Sequence, residues 1–288
     1  MKVLVTGAAG FIGQHVCSLL REQRHEVIGS DVYVDSDLLW DITKACPPFG
    51  SLDAVIHLAA LANPRECDAD PAKAFNVNVN GTHQVLELAR KSGAKKFVFS
   101  SSAHVYDIPS RYLPADELLP LRLNNTYTTT KILGEQLCEL YWTNHGLSYT
   151  ILRLFNAYGL NQAKGYYIPD QVSKAKEGCI NLKGGNTTKD WVWVGDVADA
   201  FVRALSTGFV GAVNIGTGVE TNLETIARII ARCYQVELKA IPSDNATRMC
   251  ADWRRAKSIL GWHPTVGLEE GLHAILGCTK EEPIPAQL

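Results

Sequence analysis

The run Lys2-Val-Leu-Val-Thr6-Gly7-Ala-Ala-Gly10-Phe-Ile-Gly13 reads as a short buried strand that turns through glycines into a helix. That order makes a phosphate cradle: glycine permits the tight turn, and the helix N-terminus presents backbone amides to a pyrophosphate. The spacing of Gly7, Gly10 and Gly13 is G-x-x-G-x-x-G rather than the more familiar G-x-G-x-x-G. Asp31 closes a second predicted strand, where a carboxylate would accept hydrogen bonds from the adenosine ribose hydroxyls and repel a 2′-phosphate. The expected cofactor is NAD rather than NADP; the competing reading of Asp31 is an exposed turn aspartate.

Outward from this turn the rhythm continues. Val3-Leu-Val5, Glu26-Val-Ile28, Ala54-Val-Ile-His-Leu58, Phe97-Val-Phe99 and Tyr149-Thr-Ile-Leu152 are mostly apolar on consecutive residues, as in parallel strands covered on both faces. Residues 13–23, 72–92 and 127–145 carry helical periodicity, the second stopping at Ser92-Gly93. The β-α-β-α order predicts an α/β chain, a Rossmann-type doubly wound parallel sheet with a smaller mixed C-terminal substrate lobe. Past about residue 160 the alternation lapses, returning with a strand at Gly211-Ala-Val-Asn-Ile215. Thr221 and Glu224 then have capping-box spacing for a helix to about Tyr234. The expected division is 1–165 for cofactor binding, with 189–215 returning to it, and 166–188 plus 216–280 for the substrate lobe. Residues 281–288 are expected to fray.

Composition narrows the function classes. A net charge of −2, without blocks of like charge, gives no electrostatic footprint for nucleic acid or an anionic membrane. The start lacks the pattern of a signal peptide, and no apolar run approaches a bilayer span, so a cytoplasmic protein is expected. The eight cysteines are scattered without a CxxC pair, which argues against zinc and for reduced thiols.

Tyr127 and Lys131 are four residues apart on a predicted helix and share a face. Ser100-Ser-Ser102 ends a central strand, where ligands bind in open α/β sheets; strand-end capping is the alternative for these hydroxyls. An unperturbed tyrosine, with a pKa near ~10, is a poor base at neutral pH. A neighbouring ammonium and a cationic nicotinamide ring would favour its phenolate. Tyr127 could then take a proton from a sugar or alcohol hydroxyl as hydride leaves the same carbon, with a serine holding the oxygen.

Thr6-Gly-Ala-Ala-Gly-Phe-Ile-Gly13, His57-Leu-Ala-Ala60, Asn78-Val-Asn-Gly-Thr82, Ser100-Ser-Ser102, Tyr127-Thr-Thr-Thr-Lys131 and Leu152-Arg-Leu-Phe-Asn156 occur in this order. Lys189-Asp-Trp-Val-Trp-Val194 with Asp196, Asn214-Ile-Gly-Thr-Gly218 and Leu260-Gly-Trp262 before Pro264 follow. Together they resemble the extended short-chain dehydrogenase/reductases, specifically the nucleotide-sugar epimerase/dehydratase branch. The resemblance implies Ser102, Tyr127 and Lys131 as the catalytic set, Lys131 also holding the nicotinamide ribose. It implies cofactor contacts from Gly7, Gly10, Phe11, Ile12, Gly13, Asp31, Leu58, Ala59, Ala60, Asn78, Ser100, Tyr127, Lys131 and Phe155, with Asp41 and Ile42 at the adenine. Substrate contacts are implied for Ser102, His104, Tyr127 and Asn156, and for Lys189 and Arg248 as phosphate ligands. It further implies a homodimer in which helices 72–92 and 127–145 build a four-helix interface.

Related 4,6-dehydratases carry an Asp-Glu pair where this chain has Ala103 and His104, and decarboxylating relatives usually place a glutamate there. Without that pair, water elimination lacks its acid and base. The expected reaction is therefore NAD-dependent 4-epimerisation of a nucleotide sugar, a UDP-sugar foremost. A reductase of a nucleotide 4-keto sugar is the alternative, and an NAD-binding regulator or scaffold without turnover is the rival from another class. His104, as a sugar contact, a second proton carrier or an ordinary hydrogen-bonded histidine, departs from the small or hydroxyl residue often found in epimerases. Asp107 replaces the family's usual glycine, and Lys189 stands where arginine is common and lacks its bidentate fork.

Overall fold

The computed structural model describes residues 1–33, 36–46, 50–106 and 112–277. The expected frayed tail at 281–288 and Asp107 lie outside them. The chain opens with β1 (Lys2–Thr6), α1 (Phe11–Glu22) and β2 (Glu26–Asp31), followed by the two-residue β3 (Leu38–Leu39) and β4 (Ala54–His57). Next come α2 (Pro64–Ala69), α3 (Pro71–Phe75), α4 (Gly81–Lys91), β5 (Lys96–Ser102), α5 (Thr126–His145) and β6 (Ser148–Leu154). The remainder runs β7 (Asn156–Tyr158), α6 (Tyr167–Lys176), β8 (Cys179–Lys183), β9 (Thr188–Trp193), α7 (Val194–Ala204), β10 (Gly211–Ile215) and β11 (Glu220–Asn222). It closes with α8 (Leu223–Tyr234), β12 (Glu237–Ile241), α9 (Arg254–Leu260) and α10 (Leu268–Leu276).

Among the described residues, seven parallel strands form the main sheet in the order β10-β6-β5-β4-β1-β2-β3. Successive strand residues face opposite sides, so β1 divides between two cores. Val3 and Val5 pack with Val16 and Leu20 of α1 and Phe201 of α7. Leu4 packs on the other side with Leu86 of α4 and Cys138 and Tyr141 of α5. Helices on both faces of a parallel sheet explain why these strands are apolar throughout.

The smaller lobe holds a three-stranded sheet, β11-β9-β7, a parallel pair, β12-β8, and a core around Tyr158, Trp191, Ile226 and Leu272. Within the returning segment 189–215, β9 belongs to this small sheet, α7 covers the main one, and β10 joins the main sheet beside β6. Several lobe strands escape an apolar-run reading because they are covered on one face only. In β8 and β12 buried or half-buried residues alternate with exposed Asn181, Lys183, Glu237 and Lys239.

Three local expectations need correction. The cap of α8 is Asn222, which accepts from the Thr225 amide at 2.7 Å; Thr221 instead sits in β11 opposite Lys189, so the helix starts one residue later than a Thr221 cap implies. Helix 72–92 is interrupted by a π-turn at Asn76–Asn80. Cys233 is disulfide-bonded, against the expectation of reduced thiols throughout, whereas Cys17, Cys67, Cys138, Cys179 and Cys250 are free thiols.

The helix that carries Tyr127 is fixed at both ends. Asn125 accepts from the Thr128 amide while the Thr128 hydroxyl accepts from the Asn125 amide, and Gly146 ends the helix at φ 68°. Gly134 brings its middle onto β5, because a Cβ there would lie 2.4 Å from Cζ of the Phe99 ring. Replacement by alanine gains up to about 1 kcal/mol of helix propensity, against roughly 1–3 kcal/mol for overpacking a closed core. Gly134→Ala is therefore expected to lower Tm by several degrees in a thermal melt. An unchanged Tm would show that the Phe99 ring steps aside freely.

Candidate active site

The glycine turn has the close approaches that its sequence implies. Gly7 takes φ +73°, and a Cβ on it would lie 2.7 Å from the Ala59 amide nitrogen. A Cβ on Gly13 would lie 2.0 Å from the Gly7 carbonyl oxygen. Gly10, exposed, starts α1 without a side-chain cap, and the first-turn amides, Phe11 and Ile12 included, have no intrahelical acceptor. Half-buried Leu58, Ala59 and Ala60 lie past the end of β4, and the Leu58 amide donates to the Thr6 carbonyl at 3.1 Å. Asp31 is held beside the turn, its carboxylate accepting from the Ala9 amide at 3.0 Å and the Val32 amide at 2.7 Å. Uncapped amides, a backbone cradle that a Cβ would fill and a carboxylate at the second strand fit a dinucleotide. Asp41 instead binds the Thr43 amide and hydroxyl at 2.9 and 2.8 Å, and buried Ile42 packs under Gly81.

The catalytic candidates meet where β5 ends against α5. Tyr127, Lys131 and Glu135, at i, i+4 and i+8, are all buried along that helix. The Ser102 hydroxyl stands beside the Tyr127 phenol and accepts from the His104 amide at 3.2 Å. Burial raises the Tyr127 pKa well above the usual tyrosine value, and the neighbouring Ser102 hydroxyl opposes that. Lys131 Nζ donates to the Ser100 carbonyl at 2.8 Å and lies 5.9 Å from the Tyr127 ring centre. Burial lowers the Lys131 pKa to about 8, with Cys67 and Glu135 opposing.

Around them, Asn78 stands in the π-turn and grips Leu61 on both backbone atoms, at 2.8 and 3.0 Å. It also donates to Thr130 Oγ1 at 3.0 Å, whose hydroxyl donates to the Tyr127 carbonyl at 2.8 Å. Phe155 is buried, with its amide on the Ile215 carbonyl at 2.9 Å. The His104 ring stands edge-on to Tyr127 at 6.4 Å between centres, and burial, then the Lys189 charge, lower its pKa to about 4. Lys189 is half-buried with its pKa lowered by burial, and among the described residues no acceptor holds its ammonium. Asn156, half-buried, pairs with Trp191 in the same small sheet. Arg248 is exposed and engaged, both its Nε and a terminal nitrogen lying 2.6 Å from the Glu220 carboxylate. The structure thus gathers Ser102, His104, Tyr127, Lys131 and the Lys189 charge, and leaves Arg248 on another carboxylate.

Several neighbours were missed by sequence reasoning. Glu135 accepts from Ser101 Oγ at 2.5 Å and pairs with Arg153 at 2.6 Å, both charges buried; its spacing from Lys131 was the available signal. Asp190 accepts from the Thr217, Gly218 and Ala251 amides at 2.7, 2.8 and 3.0 Å, tying the small lobe together. Cys67 packs on Tyr127, and Tyr166 at the start of α6 adds to the upward push on its phenol; nothing in the sequence marked either. Among the described residues no His, Cys, Asp and Glu cluster could hold a metal ion, and no helix is long and apolar enough to cross a membrane.

Residues 3–216 match the model of the NAD dependent epimerase/dehydratase family. A putative UDP-glucose 4-epimerase of Methanocaldococcus jannaschii is 35% identical, over 96% of this chain and 98% of the relative. UDP-glucuronic acid decarboxylase 6 of Arabidopsis thaliana is 30% identical, over 94% and 87%. The solved UDP-glucose 4-epimerase of Thermotoga maritima with UDP-glucose superposes at a TM-score of 0.87, with 29% identity over 96% of this chain and 98% of that one. The chain belongs to the NAD dependent epimerase/dehydratase family.

Buried beside Lys131, His57 has its Nδ1 2.6 Å from Thr6 Oγ1 and its Nε2 2.9 Å from Thr82 Oγ1. Burial, with the Lys131 charge adding, lowers its pKa to about 3. The unfolded chain takes this proton below about 6.5, whereas the folded chain does not until about 3. The stability it contributes is complete above pH ~6.5 and declines on acidification, by up to about 1.4 kcal/mol per pH unit. Denaturant unfolding at pH 7, 6, 5 and 4 is expected to show a shallower decline in His57→Gln than in the parent chain. Equal declines would show that His57 ionises in the folded protein.

Proposed function

We propose that this family member is a nucleotide-sugar 4-epimerase acting on a UDP-sugar. The observation that carries the reading is the buried meeting of Ser102, Tyr127 and Lys131 with alanine and histidine, not an Asp-Glu pair, at 103 and 104. One acid/base group suffices when the reaction removes and restores hydrogen at one carbon. NAD, when bound in the glycine cradle, supplies the hydride acceptor and returns the hydride.

Tyr127 takes the C4 hydroxyl proton as the 4-keto sugar forms, and returns it to O4 once the sugar has turned to present its other face. Ser102 holds the sugar oxygen against the phenol and offsets part of the burial that would keep the proton on the tyrosine. Lys131 holds the nicotinamide ribose, and any positive charge added near the phenol shifts its balance toward the phenolate. Lys189, with no acceptor on its ammonium among the described residues, takes diphosphate charge together with Asn156. Anchoring by the nucleotide leaves the sugar loose enough to present either face. A catalytic set complete in three parts has no role in a scaffold. The paired copy is a homodimer through α4 and α5, where Leu140 and Trp142 are exposed on α5.

Purified protein incubated with UDP- and GDP-sugars, with no cofactor added, tests this by NMR of the products. The expected result is interconversion of C4 epimers with no net change in NAD, reduced at least 100-fold in rate in Tyr127→Phe. Stoichiometric loss of NADH or NADPH with a 4-keto sugar would indicate a reductase instead. Full activity in Tyr127→Phe would refute the acid/base role.

A further inference from the structure

The chemistry above leaves His57 without a role, although it lies buried between the cofactor turn and the catalytic helix. Its two partners come from opposite sides. Thr6, its neighbour across the β1–β4 register, immediately precedes Gly7. Thr82 lies in the first turn of α4, directly after the π-turn that carries Asn78. All three side chains are almost completely buried.

Counting protons fixes the direction of every bond. The Thr82 hydroxyl has one hydrogen, and it points to the Asn78 carbonyl 2.6 Å away. Toward His57 it can only accept, so Nε2 carries the imidazole proton. Nδ1 then has a bare lone pair and accepts the Thr6 hydroxyl hydrogen, while Thr6 Oγ1 accepts from the Ala59 amide at 3.4 Å. From Ala59 through Thr6, His57 and Thr82 to Asn78 the donors all run one way. Asn78 carries the connection on through its side chain to Thr130, whose hydroxyl ends on the Tyr127 carbonyl. One end of the series is the backbone that a Gly7 Cβ would strike; the other is the residue read as the acid/base.

A threonine that bonds back to a helical carbonyl has a choice of rotamers and bends its helix. Here the Nε2–H of His57 occupies the Thr82 lone pair and selects one rotamer, which holds the Asn78 carbonyl at the π-turn. A protonated ring would put a second donor against the Thr6 hydroxyl and reverse that bond. An Nδ1–H ring would leave Thr82 facing a bare nitrogen with no hydrogen to give.

We propose that His57, as the neutral Nε2–H tautomer, is a positioning residue that sets the catalytic helix against the cofactor turn. The inference rests on the reading of Tyr127 as the acid/base group, and it predicts a displacement that can be seen without turnover. Thr82→Val keeps the shape of the side chain and removes the hydroxyl; Thr82→Ser restores the hydroxyl.

In the NAD complex, with tyrosine ring carbons and histidine ring nitrogens isotopically labelled, three results are expected. The His57 ring shows the Nε2–H tautomer from pH 5 to 8. The Tyr127 Cζ resonance moves in Thr82→Val and returns in Thr82→Ser. Turnover of the sugar found active falls roughly tenfold in kcat in Thr82→Val, with KM within about twofold, and Thr82→Ser recovers it. A protonated or Nδ1–H ring overturns the proposal, and that spectrum needs only the parent protein, so it stands even if Thr82→Val does not fold. A loss of Tm in Thr82→Val with an unmoved Tyr127 signal and parental kcat also overturns it. If the parent turns over no nucleotide sugar, the epimerase reading fails by itself, while the tautomer and the Tyr127 resonance still decide the positioning role.

Discussion

The close approach of α5 to β5 organises the rest of the site. Gly134 meets the Phe99 ring where any side chain would collide. At that spacing Lys131 reaches the Ser100 carbonyl and Glu135 reaches the Ser101 hydroxyl, while Ser102 lies against Tyr127. Three consecutive strand residues are thus matched to three successive turns of one helix. The Glu135–Arg153 pair locks the deeper end of this contact, and breaking such a buried pair by removing one partner costs about 3–5 kcal/mol. Capping by Asn125 sets where α5 begins, and therefore where Tyr127 falls.

Burial then decides the electrostatics. It pushes the Tyr127 phenol up and the Lys131 amine down, so the same desolvation drives both groups toward neutrality. His57 and His104 are pushed the same way and keep no charge near neutral pH. Lys131, with a pKa of about 8, keeps most of its charge at neutral pH, and in low dielectric that one charge acts strongly on its neighbours. Asp31 stands apart beside the turn, held by two amides, and the Lys189 charge, with no acceptor among the described residues, lies near His104.

Legibility in the sequence followed how local each feature is. The main sheet showed through because strands covered on both faces leave unbroken apolar runs, and the glycine turn because strand, turn and helix are contiguous. Tyr127 and Lys131 were visible as an i, i+4 pair after the Ser100–Ser102 strand end. One-sided strands such as β8 and β12 hid among polar residues. The cap at Asn222 was displaced from the Thr221–Glu224 box by pairing of β11 with β9, a tertiary event. Arg248 resembled a phosphate ligand in sequence but stands on Glu220, a contact that no local pattern encodes. Cys67, Tyr166 and the His57 connection join distant segments, and only the folded chain brings them together.

The central claim is that hydrogen leaves C4 of a sugar and returns to the same carbon within one closed site. Its most direct measurement is the fate of deuterium placed at C4 of the active UDP-sugar and followed by NMR in ordinary water. The label is predicted to remain at C4 of the product epimer through many turnovers. Its replacement there by solvent hydrogen would contradict hydride return and, with it, the epimerase reading.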